Sequence, residues 1–263
     1  MHLMKTHRKK HIAFVYEGEK TEKALIQKMI QVYFSDISNP TIITLSASGN
    51  IYMLWNKLKE YSFEAEVIDI IKEMSQSAKE TLKGLTARDF SEVYLFFDYD
   101  AHNDNLPKEY RDYDIVKEML RFYDNETNFG KLYISYPMIE SLRELSQETE
   151  DYGRLYAPLN NEWDYKQYVA NQWEFQNFSH IDKKKWEIAC RASVKRANLI
   201  VNYREEIPTY KQFLDELDQE SIYKAQIDSF VLENKMIGVL NSVPLFLLEY
   251  FDITYWNKVC ENI

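Results

Sequence analysis

Residues 11–22 read HIAFVYEGEKTE, and the fold follows from how this run changes character. Ile12, Ala13, Phe14, Val15 and Tyr16 make a nearly continuous apolar segment of strand length, as expected for a strand covered by helices on both faces. Glu17 and Gly18 stop it. Gly18 permits a tight turn, Thr21 can cap a helix by accepting from backbone N–H groups, and apolar residues return at Ala24, Leu25, Met29 and Val32. The stretch is a β-turn-α unit.

The construction recurs at residues 93–100, VYLFFDYD, where a buried strand ends in Asp98 and Asp100. Two residues apart on an extended backbone, these acids share one side and can reach one ion. In open α/β sheets the ligand lies beyond the carboxyl ends of the strands, so Glu17 and the Asp98/Asp100 pair are expected to converge. Convergent carboxylates repel one another and take up protons. A hard divalent cation, Mg²⁺ or Mn²⁺, relieves that repulsion with oxygen ligands.

Between these units, 41–45 reads as a second strand rich in β-branched residues, 51–59 as a helix and 64–83 as one longer helix ended by Gly84. The turn at Ser46, Ser48, Gly49 and Asn50 lacks a Walker lysine and a GxGxxG, and reads as an ordinary connection. Beyond Asp100, His102 and Asp104 extend a polar loop. A helix is expected over 114–123 and a fourth strand over 131–135, after which Pro137 opens a helix that carries Glu140. From about residue 150 the pattern turns helical, with Trp163, Trp173 and Trp186, a helix over 186–203, another over 210–217 and an amphipathic helix over 221–240. The expected organisation is α/β over 1–150, a parallel sheet of about four strands flanked by helices, and a mainly α-helical region over 151–263 for packing or partner binding.

Strand, Glu-Gly, helix, then strand and Asp-x-Asp resembles the Toprim domain, a Rossmann-like fold. The likeness extends to nucleases of the overcoming-lysogenization-defect type and to the small RloB-like proteins of bacterial phage-defence loci. Their EGxxTE start is matched by Glu17, Gly18, Thr21 and Glu22, and their later Pro-x-x-Glu by Pro137 to Glu140. The sequence departs from the pattern where Thr21 stands in place of a second acid and Tyr136 in place of an Asn before the proline. The resemblance implies a metal-dependent nuclease. Glu17, Asp98 and Asp100 would hold one or two Mg²⁺ or Mn²⁺ ions, and Glu22 and Glu140 would complete a second site or orient water. It further implies an antiviral role and, because no Walker motif is present, a separate ABC-type ATPase subunit. DNA is the favoured substrate and tRNA or other structured RNA the rival. Other readings stay open: a non-catalytic Toprim-like interaction module, a DxD nucleotide-sugar transferase, and association as a homo-oligomer.

A formal charge of −10 excludes binding of nucleic acid through a generally basic surface. Basic residues are nevertheless clustered. Lys20 beside the first acids, and Lys183, Lys184 and Lys185, are candidates for phosphate, with a solvated helix face as the alternative. Cys190 and Cys260 have no zinc or disulfide spacing, and no run approaches the roughly 20 apolar residues of a membrane span, so a cytoplasmic protein is expected.

Overall fold

The structure, a computed structural model, describes residues 11–35, 40–99, 113–159, 164–170 and 174–261. Its main sheet is five-stranded and mostly parallel, flanked by helices. Strands β1 (His11–Tyr16), β2 (Thr41–Ser46), β3 (Phe90–Asp98), β4 (Asp124–Asn125) and β5 (Gly130–Ser135) lie in the order β2-β1-β3-β5-β4. β1 and β2 pair in parallel, His11 opposite Thr41 through Tyr16 opposite Ser46. The fifth strand, beyond the four expected, is the two-residue β4, which closes an antiparallel hairpin on β5. With β1 next to β3, the two acid-terminated strands are neighbours in the sheet order.

The chain divides into two compact units, Met1–Leu95 with Phe122–Leu132 and Phe96–Arg121 with Tyr133–Ile263. In the first, Ile12 to Tyr16 are all at most 2% exposed, which is why this strand carries no polar alternation. Helix α1 (Thr21–Tyr33) buries Leu25, Ile26 and Met29. Its cap position belongs to Lys20, without a side-chain cap, so Thr21 is the first helical residue rather than the cap expected for it. Helix α2 (Ile51–Glu60) is capped by Asn50, whose side chain accepts from the Met53 N–H. Trp55 packs edge-on against Phe122 and Tyr123 of the same unit.

The single helix expected over 64–83 is two, α3 (Val67–Met74) and α4 (Gln76–Thr81). Ser75 leaves the helical region at φ −127°, ψ 117°, and its Oγ accepts from the Ala78 N–H at 3.2 Å. A serine side chain competes with the helix for backbone N–H groups, and here it ends one helix by starting the next.

In the second unit, α5 (Tyr113–Phe122) begins among the described residues after position 112. Pro137 does not open a helix. The helical residues are Ile139–Glu144, a tight 3₁₀ segment with Met138 as its cap. Short antiparallel pairs follow, β6 (Leu145–Ser146) with β7 (Asp151–Tyr152), and β8 (Tyr156–Pro158) with β9 (Met236–Gly238). Helix α6 (Tyr165–Val169) precedes the long α7 (Lys183–Asn202), which buries Trp186, Ala189, Cys190, Ala192 and Val194. Helices α8 (Tyr210–Glu216) and α9 (Gln219–Gln226) follow. Helix α7 packs against α9 and against α11 (Val243–Tyr250), whose residues Val243 to Leu248 are all buried.

The amphipathic run over 221–240 is not one helix. α9 passes into a π-helical turn, Ile227–Val231, then α10 (Leu232–Asn234), and stops where Lys235 turns left-handed at φ 51°. β9 is held by side-chain chemistry invisible to periodicity. The buried Gln226 amide donates to the Gly238 carbonyl and accepts from its N–H, both at 2.8 Å. A Cβ at Gly238 would stand 3.0 Å from Gln226 Oε1 and 3.1 Å from Ile200 Cδ1, so a larger residue would crowd the Gln226 amide that holds the strand.

Candidate active site

In the first unit, the carboxyl ends of β1 and β2 are tied together. The Ala47 N–H donates to the Tyr16 carbonyl at 2.8 Å and the Ser46 hydroxyl to the Glu17 carbonyl at 3.3 Å. Glu17 is half-buried directly after β1. Glu22, in the first turn of α1, folds its carboxylate back over Gly18 so closely that a Cβ there would meet Oε2 at 2.8 Å. The contact is with the movable end of a side chain, so a Cβ at Gly18 asks only that the Glu22 carboxylate shift. A positive φ is not involved. Tyr16 has its phenol pKa raised, first by burial and then by the neighbouring Glu19 and Glu22 charges, against a lowering hydrogen bond with Thr44.

Glu19, not singled out in the sequence, accepts from the hydroxyls of Ser48 at 3.5 Å and Ser77 at 3.3 Å. Ser75 joins this hydroxyl chain, 3.1 Å from both Ser48 and Ser77. A cavity of about 400 Å³ adjoins it, lined among others by Tyr16, Glu19, Lys23, Gln27, Ser46 and Ser77. Lys20 is exposed at the start of α1.

In the second unit, Asp98 ends β3 and its Oδ1 accepts from the Ile139 N–H at 2.8 Å. One acid of the expected set thereby holds the first residue of the 3₁₀ segment that carries another. Glu140 is 1% exposed, and its Oε1 lies 3.1 Å from the Lys166 ammonium. The same segment is anchored from behind: Asn241 Nδ2 donates to the Ile139 carbonyl at 2.7 Å and to Ser141 Oγ at 3.3 Å. Asn241 in turn donates its backbone N–H to the Tyr152 phenol, which lies 2.7 Å from Ser193 Oγ.

Four residues after Glu140, Glu144 is fully buried and accepts from the Tyr165 hydroxyl at 2.6 Å. Burial raises its pKa, with Tyr165 and Arg154 opposing that rise. Sequence reasoning missed Glu144 because an acid spaced one turn from another reads as a solvated helix face. Only Leu142 and Leu145 around it hint at burial.

Asp100, His102, Asp104, Trp163 and Trp173 lie outside the described residues. Among the described residues no three His, Cys, Asp or Glu side chains gather as a metal centre. Glu17 in the first unit, and Asp98 and Glu140 in the second, each offer carboxylate oxygens, the ligand type a hard Mg²⁺ or Mn²⁺ ion prefers. One oxygen of Asp98 and one of Glu140 are already engaged by an N–H and an ammonium.

Lys183, Lys184 and Lys185 fill the first turn of α7, after the Asp182 cap. Lys185 donates to the Glu174 carbonyl at 3.0 Å and its ammonium lies 5.5 Å from the centroid of the Phe175 ring, which leaves Lys183 and Lys184 as the exposed pair. No helix among the described residues is long and apolar enough to cross a membrane. No family model, curated protein or solved structure matches the chain.

Proposed function

We propose that the chain is a metal-dependent nuclease of Toprim type, hydrolysing phosphodiester bonds of DNA or, as the rival substrate, structured RNA. The carrying observation is Asp98, an acid at the end of a buried sheet strand whose carboxylate fixes the turn bearing the buried Glu140. Glu17 stands in the equivalent place after β1, the neighbouring strand. In this reading Glu17, Asp98 and Asp100 hold Mg²⁺ or Mn²⁺, which would lower the pKa of a bound water and offset charge on the phosphoryl group. Glu22 and Glu140 orient the water, and Lys20 faces the phosphate. The role is antiviral defence beside a separate ABC-type ATPase subunit.

A second reading, a non-catalytic interaction module, draws on the same hydrogen bond and on the Lys166–Glu140 pair, since acids so engaged can serve structure alone. One series separates the two: cleavage of supercoiled plasmid and of total tRNA with Mg²⁺, Mn²⁺ or EDTA, beside Asp98→Asn and Asp98→Ala. Asparagine keeps an acceptor for the Ile139 N–H and removes the charge an ion needs. The nuclease reading expects metal-dependent cutting lost in both variants, with Asp98→Asn as stable as the parent. Cutting that persists in a folded Asp98→Asn, or an absence of both cutting and calorimetric ion binding, refutes it.

A further inference from the structure

Far from these acids in sequence, the second unit carries a cavity of about 660 Å³ lined by Tyr156, Tyr203, Asp228, Ser229, Phe230, Asn234 and Met236. Its lining is unusual in three independent ways. Tyr203 is 70% exposed, the largest exposure among the exposed large hydrophobic side chains, and it sits left-handed at φ 57° at the end of α7. A bulky residue there is strained where glycine would be relaxed. Asp228, Ser229 and Phe230 belong to the π-helical turn Ile227–Val231, a distortion that recurs at functional sites. Asn234 and Met236 flank Lys235, the second left-handed residue beside the cavity.

The chemistry of the lining selects a ligand. Phe230 and Tyr156 pack with ring centroids 5.0 Å apart, and the Tyr203 hydroxyl is 2.6 Å from Ser229 Oγ, so the phenol end of an otherwise exposed ring is held in place. An exposed, fixed aromatic face is a stacking platform. The polar groups beside it include two acceptors, a carboxylate and an amide oxygen. The exposed Asp228 carboxylate has no hydrogen bond or ion pair with another described residue, and Asn234 donates one amide N–H to the Ser229 carbonyl at 3.3 Å, which leaves its Oδ1 as an acceptor beside a second N–H. Acceptors select an edge with adjacent N–H donors, which guanine presents at N1 and N2. An organic cation would also suit rings and a carboxylate. Against it stand Arg204 and Lys235, next in sequence to Tyr203 and Asn234, both exposed and with side chains that no described residue pairs. Two exposed cations next in sequence to lining residues disfavour a cationic ligand and suit a phosphate.

We infer that this cavity binds a guanine nucleotide, the base stacked on Tyr203, its N–H edge on Asp228 and Asn234, and its phosphate attracted by Arg204 and Lys235. The inference does not depend on phosphodiester cleavage. Its ligand is either a free nucleotide or an unpaired guanine in a strand, which share this chemistry.

The test is calorimetric titration of the full chain in EDTA, which stops metal-dependent turnover, with GMP, AMP and UMP and with an unstructured oligonucleotide holding one guanine. Binding of GMP in preference to AMP and UMP assigns a free nucleotide. Guanine-dependent binding of the oligonucleotide alone assigns a strand. Tyr203→Gly removes the ring at a position glycine favours, so folding is retained, and it should weaken binding about tenfold or more, the worth of one stacked base. Asp228→Asn should erase the guanine preference. The inference is overturned if neither probe binds, or if both variants bind as the parent does.

Discussion

At the residue scale, two glutamates show how surroundings set opposite pH behaviour from one side chain. Glu144 has its pKa raised above the ordinary 4.5 by burial, so the folded state holds its proton more tightly than the unfolded chain. Its contribution is most favourable below pH 4.5 and is lost as pH rises through the raised value. Glu150 has its pKa lowered, chiefly by its hydrogen bonds with Arg191, whose Nε donates to Oε2 at 2.6 Å. Its contribution is present above pH 4.5 and is lost as pH falls through the lowered value. Thermal melts across pH should therefore separate the variants. Relative to the parent, Glu144→Gln should gain as pH rises from 4.5, whereas Glu150→Gln should lose stability at neutral pH and converge with the parent in acid. Tyr203→Gly belongs to this scale too. With 70% of the side chain exposed and φ at 57°, relief of strain outweighs lost burial, and a gain of about 0.5–1 kcal/mol in a denaturant melt is expected.

Elements here are bounded by side-chain hydrogen bonds more than by propensity. Ser75 is 1% exposed, caps α4 and bonds to Ser48 and Ser77, so Ser75→Ala removes a cap and leaves partners behind. A loss of about 1–2 kcal/mol by chemical denaturation is expected. At α7 the reverse holds. Lysines occupy a first turn that favours acids, because the helix dipole is positive there. Changing Lys183 and Lys184 together to Glu should raise the melting temperature, each position adding a few tenths to about 1 kcal/mol. A lysine pair that helix stability disfavours is a pair worth testing for phosphate, and the same double variant should then flatten the salt dependence of nucleic-acid binding by about one unit of slope per lysine.

At the scale of the whole molecule, a charge of −10 makes the proposed nuclease dependent on cations for approach as well as for chemistry. Fluorescence anisotropy with a labelled duplex should show weak binding in EDTA that strengthens when Mg²⁺ or Mn²⁺ is added, and strengthens less in Asp98→Asn. Equal affinity with and without divalent cation would locate binding on a basic surface instead.

The amino-acid order by itself determined four of the five strands of the main sheet and which of them end in carboxylates. A strand buried on both faces must be continuously apolar, and β1 and β3 could be read from that alone, together with Glu17 and Asp98 at their ends. It also determined α1, α2 and α7, whose apolar spacing persists over several turns. What only the tertiary structure decided is where polar groups replace periodicity. Ser75 splits one apparent helix, Gln226 draws residues 236–238 out of another to make β9, and Asp98 with Asn241 converts an expected helix after Pro137 into the short turn that buries Glu140 and Glu144. Each of these rests on a partner 3 to 102 positions away. Hydrophobic periodicity reports how a segment meets the core, whereas a hydrogen bond between distant residues exists only once the chain has brought them together.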